Sequence, residues 1–142
     1  RASGTLALQS KIMFTLEQIA EAHTRVKSGA DFPLFMQDLI ALGVAGNSIF
    51  VSDGRAEYWD KNGERLVSDA AYPVKEIADG CDADKFKTRL KLHQHGGTDY
   101  PTFCSDCAET GIDHWTIDMA AMKCTYFDKA GNEILVEQVP TP

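Results

Sequence analysis

The sequence predicts an α+β fold of two tandem ααβββ repeats, pseudo-twofold, with antiparallel meander strands packed against helices. Three observations predict it. A 33-residue block at positions 31–63 recurs without gaps 68 positions later, at 99–131. Ten of the 33 pairs are identical, among them Pro33/Pro101, Phe35/Phe103, Asp38/Asp106, Gly43/Gly111 and Tyr58/Tyr126. Average composition would give about two. A capped, helix-periodic stretch precedes each block. Two Asp-Lys-x-Gly turns, at Asp60 and Asp128, each sit between short strand-like runs.

Each element has its own local reason. Thr15-Leu16-Glu17-Gln18 is a capping box, in which hydroxyl and amide side chains satisfy free backbone N–H groups. Leu16, Ile19, His23 and Val26 follow at helical spacing, so this helix is expected to run to about Lys27-Ser28-Gly29. Its counterpart starts after Asp82, carries Phe86, Leu90 and His93 on one stripe, and stops at Gly96-Gly97. The offset between these first helices is 67 or 68. The second helices begin at Asp31 and Asp99, expected N-caps, with Pro33 and Pro101 in the first turn. They stop at Gly43 and Gly111, followed by the apolar Val44 and Ile112 of a Schellman motif. Strands are expected over 47–51, 55–59 and 64–67, and over 115–119, 123–127 and 133–139. Apolar residues on both pleat faces point to a meander covered by helices on one face and partly buried on the other. The connector, with Tyr72-Pro73 and Val74 to Ile77, is expected to add an edge strand.

The organisation is a leader or cloning remnant over 1–12, expected to be disordered, then one domain over 13–142. That domain divides into repeat 1 (13–68), a connector (69–81) and repeat 2 (82–142). A lone three-stranded meander on two helices buries too little to be stable, and pairing two of them solves this.

Charge excludes some functions. The net charge is −7, and the two basic residues of the leader, Arg1 and Lys11, leave −9 for the rest. Phosphate-tracking nucleic-acid binding needs the opposite sign. The longest run without a polar side chain, 39–46, is far shorter than the ~20 residues that span a bilayer. Four cysteines without an export signal point to reduced thiols in a cytoplasm.

The sharpest chemical candidate is His93-Gln-His95 followed by Cys104-Ser-Asp-Cys107, two imidazoles and two thiolates of the zinc-binding type. The repeat offers another reading. Cys104 matches Met36 and Cys107 matches Leu39, so both thiols read as core packing. A thiol-redox role for the same pair would draw on the helix N-terminus, which lowers thiolate pKa. Cys124 matches Ala56 and reads as structural. His23 reads as a core-edge histidine, and Asp38 and Asp106 as carboxylates complementing a helix dipole. His114, Trp115 and Asp118 stand where the first copy has Gly46, Asn47 and Phe50, and could line a pocket. No catalytic motif, P-loop or dinucleotide fingerprint is present. The reading is therefore a cytoplasmic, non-enzymatic binding or regulatory module without a cofactor. Its expected partner is a protein or small molecule. The alternative is a zinc or thiol-redox protein. Antiparallel edge strands would permit a homodimer.

The chain also resembles the YbcV-like family of small bacterial and prophage proteins. The segments that carry the likeness are Met13-FTLEQI, Val26-KSGADFP, Val51-SDG, Glu76-IAD, Thr98-DYPTFC, Trp115-TIDM and Thr125-YFDKAGNEILVEQ. The resemblance implies a domain of unknown function, some members of which are labelled "phage envelope protein". It implies no catalytic residues.

Overall fold

A computed structural model describes residues 12–27 and 29–141. Among the described residues, four helices and one six-stranded antiparallel sheet make an α+β fold. In chain order they are α1 (Leu16–His23), α2 (Phe32–Leu42), β1 (Gly46–Phe50), β2 (Ala56–Trp59), β3 (Arg65–Val67), α3 (Ala83–Gln94), α4 (Tyr100–Thr110), β4 (His114–Asp118), β5 (Lys123–Phe127) and β6 (Glu133–Gln138). Residues 1–11, most of the expected leader, and Ser28 lie outside the described residues. Ile12, its last residue, is partly buried against the core.

The helix ends follow from local hydrogen bonds. Thr15 and Gln18 form the capping box of α1, and Asp82 accepts from Lys85 N at the start of α3. Gly43 (φ 103°) and Gly111 (φ 92°) take the left-handed conformation that ends α2 and α4. Val44 N then donates to Leu39 O at 3.0 Å and Ile112 N to Cys107 O at 2.8 Å, closing both Schellman motifs. Two expectations fail here. Asp99 caps α4 through Thr102 N, but Asp31 makes no side-chain cap for α2. A 3₁₀ turn over Gly29–Asp31 leads into α2, and the Asp31 carboxylate accepts from Lys27 N instead. Helix α1 stops at His23, short of Val26. Thr24 Oγ1 donates to Glu21 O, and Arg25 N and Val26 N bond three residues back, so the α ladder is lost.

The strand order is β3-β2-β1-β4-β5-β6. β1 and β4 meet at the centre with Ser48 opposite Thr116, and their hydroxyls lie 2.8 Å apart. Those two residues are 68 positions apart in the chain. Strand β5 has its expected bounds; β1 and β4 start and end one residue early, β2 and β3 start one residue late, and β6 ends one residue early. The connector forms no strand. Tyr72 Oη donates to Val51 O, Lys75 N to Ser52 O and Ala78 N to Ala108 O, so its polar groups are spent on loop and helix carbonyls. The sheet edges are β3 and β6.

Period-2 alternation sorts the strand residues. Ala56, Tyr58, Trp115, Ile117, Cys124 and Tyr126 are buried in the core beside Met36, Leu39, Phe86 and Phe103. The Phe86 ring lies 5.0 Å from Tyr126, and Phe103 5.6 Å from Trp115. Such pairs add about 0.5–1.5 kcal/mol each beyond their area. Trp59, Ser48, Phe50, His114, Thr116 and Phe127 alternate onto the other pleat face.

Candidate functional site

The predicted cysteines lie inside α4. Both Cys104 and Cys107 are 0% exposed. Burial pushes both thiols up, Cys107 the further, although hydrogen bonds from Tyr72 and Tyr100 partly oppose this at Cys104. Cys124, on β5, is likewise buried and is pushed up to about 12. Neutral thiols are poor nucleophiles and poor metal ligands. His93 is committed elsewhere. Its ring stacks on Phe103 at 4.5 Å and its Nδ1 bonds the Thr98 carbonyl at 3.0 Å. A carbonyl only accepts, so Nδ1 carries the proton. Burial lowers the His93 pKa, against the bond to Thr98. His95, the α3 C-cap, is exposed. Among the described residues no three His, Cys, Asp or Glu side chains are grouped to hold a metal ion.

His114, Trp115 and Asp118 are not brought together. Trp115 is buried on the core face. Asp118 is exposed, and its carboxylate accepts from Ala120 N and Ala121 N in the following turn. His114 stacks on Phe127 at 4.7 Å, and its Nδ1 lies 2.8 Å from Asp113 Oδ2. At the sequence-matched Gly46 a Cβ would come within 2.5 Å of the Trp59 indole. Trp59 thus fills in the first half what the imidazole fills in the second. His23 is exposed rather than at the core edge, with its ring 5.2 Å from Phe35.

A concave feature lies between α1 and α2. It is an open, shallow groove of about 340 Å³ lined by Gln18, Glu21, Ala22, Arg25, Asp38, Ala41 and Leu42. Its origin is visible in the other helix pair. Between α3 and α4, Lys85 Nζ meets Glu109 Oε1 at 2.7 Å, and the Arg89 guanidinium hydrogen-bonds Asp106 and approaches Glu109. The Lys85 hydrogen bond holds Glu109 below the usual carboxylate range. The N-caps Thr15 and Asp82 are 67 positions apart, which matches Lys85 to Gln18 and Arg89 to Ala22. The second helices, 68 apart, match Asp106 to Asp38 and Glu109 to Ala41. Three of the four side chains that fill the α3–α4 seam are therefore shorter or uncharged between α1 and α2. Asp38 alone is retained. It pairs with Arg25, from the loop after α1, at 3.2 Å.

Sequence reasoning named two residues of this lining, Gln18 as part of a capping box and Asp38 as a dipole partner, and neither as a site residue. A signal existed: Ala22 and Ala41 stand opposite Arg89 and Glu109. It becomes readable only when the first helices are matched at 67 and the second at 68.

On α2, Leu34 is 53% and Ile40 39% exposed. At the matched positions α4 carries Thr102 and Ala108. No helix among the described residues is long and apolar enough to cross a membrane. A family model described as "Protein of unknown function (DUF1398)" matches residues 20–138. No curated protein matches the chain.

Proposed function

This chain belongs to that family, and from that premise we propose that it is a non-enzymatic binding module built by duplication of an ααβββ unit. The second copy is the structural one, and the first carries the binding cleft. The 33-residue sequence match and the pairing of Ser48 with Thr116 at the sheet centre support the duplication. The likeness of the quoted segments to YbcV-like proteins supports a prophage association, and four free cysteines favour a reducing cytoplasm.

One observation carries the binding reading: a 340 Å³ cleft at the place where the matched seam is filled by ion pairs. Its lining offers carboxylates, an amide, a guanidinium and methyl groups, but no thiol, imidazole or hydroxyl. That set is suited to recognising a charged ligand with an apolar stem.

Chemical-shift mapping tests this. The ¹⁵N-labelled chain is titrated with separate cationic, neutral and anionic fragment mixtures. Joint, saturable shifts of the Gln18–Arg25 and Asp38–Leu42 amides with any one mixture uphold the reading. No response there, or shifts centred on His114 and Phe50, overturns it.

A further inference from the structure

We propose that the α1–α2 cleft binds an alkylguanidinium or alkylammonium group, an inference that rests on the binding reading above. The template is internal to the molecule. Across the α3–α4 seam the Arg89 guanidinium satisfies Asp106 and the Lys85 ammonium satisfies Glu109. In the first half one carboxylate persists as Asp38 and the other is gone, to Ala41, while both matched cations are gone, to Ala22 and Gln18. Two carboxylates, Asp38 and Glu21, line the cleft with a single cation, Arg25.

Arg25 does not replace Arg89. It reaches Asp38 Oδ2 with one nitrogen, and its side chain stays 56% exposed, against 33% for Arg89. No hydrogen bond to Asp38 Oδ1 and no ion pair to Glu21 occurs among the described residues. The cleft is thus one positive charge short. The exposed Ala41 and partly buried Leu42 supply an apolar wall for an alkyl stem. A ligand with a cationic head and a short aliphatic chain would complete the first seam as Arg89 completes the second. Guanidinium suits it best, because its planar fork can engage the open oxygen of Asp38.

The experiment uses the whole chain and four probes: agmatine, n-butylguanidine, its neutral isostere n-butylurea, and N-acetyl-arginine methylamide. Binding is read from amide shifts of Gln18–Arg25 and Asp38–Leu42. Agmatine and n-butylguanidine are expected to bind saturably with millimolar affinity, weakening with salt, while n-butylurea leaves these amides unmoved. Asp38→Asn is expected to weaken n-butylguanidine binding about three- to tenfold. Ala22→Arg, which restores the matched residue, should abolish it. Asp38→Asn alters a half-exposed side chain and keeps the test open should Ala22→Arg not fold. Capped arginine binding as tightly as agmatine would identify the source as an arginine on a protein partner. Much tighter agmatine binding would identify a free small molecule. Equal binding of n-butylurea and n-butylguanidine overturns the inference and leaves the binding reading standing. So do shifts with agmatine that spread over other acidic surface without saturating. Silence with all four probes while another fragment class binds the cleft also defeats the inference alone.

Discussion

The two helix pairs share a plan and differ in what lies between them. Both second helices start near an Asp, carry a Pro in the first turn and stop on a left-handed glycine. Yet α3–α4 is closed by Lys85, Arg89, Asp106 and Glu109, while α1–α2 stays open around Ala22 and Ala41. Beneath them the cores diverge in the same direction. The second half packs the tilted rings of Phe86, Phe103, Trp115 and Tyr126 together. The first half places Ile19 and Asn47 where the second has Phe86 and Trp115. Where two helix pairs share a plan, a gap in one of them marks where to look for a ligand.

Substitutions can break or sharpen this contrast. The largest effect is expected in the aromatic half. Phe86→Ala should cost about 3–5 kcal/mol, because a fully buried ring leaves a cavity against Phe103 and Tyr126. Ile19→Ala should cost about 2–4 kcal/mol, a smaller void. Urea unfolding of both variants decides, and an equal or reversed order would erase the distinction between the halves.

The ion pairs come next. Asp106 is only 8% exposed at its side chain, so Asp106→Asn should cost about 1–3 kcal/mol. Asp38→Asn breaks a more open pair and should cost under about 1 kcal/mol. Thermal melts of the two variants make the comparison, and a larger loss at Asp38 would mean that the first seam is already closed.

The smallest effect is one of pH. Burial holds the folded His93 pKa below the ordinary 6.5. The unfolded chain then binds the proton more readily, so stability is full above about pH 6.5 and falls as pH drops toward the folded value. The loss should be on the order of 1 kcal/mol or less. His93→Leu should flatten this part of the urea midpoint–pH profile. An unchanged slope would remove His93 as its source. The matched residue in the first half, Val26, has nothing to titrate.

Much of the fold was legible because its determinants are local. Thr15, Asp82, Asp99, Gly43 and Gly111 act on backbone groups within a few residues, and each does what its type and position dictate. Where a local cue had a competitor, it failed. Val26 continued the apolar stripe of α1, but the Thr24 hydroxyl takes the Glu21 carbonyl and the helix ends. Asp31 had the composition of a cap, but a 3₁₀ turn gave its carboxylate a different partner. Connector residues with strand propensity found loop carbonyls instead of a neighbouring strand. The site was less legible than the fold. His93 looked like a ligand until Phe103 and Thr98 were seen to occupy it.

The sequence by itself determined the α+β class, the helix caps and stops, the hairpin turns, and the match of Cys104 and Cys107 to Met36 and Leu39. Those features depend on hydrogen bonds and side-chain periods that close within a turn or a pleat. Tertiary structure alone decided that Ser48 meets Thr116, that Trp115 and His114 take opposite faces, and that α1–α2 keeps a cleft. Each of these is set by which distant side chains arrive to fill a space. In the first half, Ala22 and Ala41 are too small to fill it.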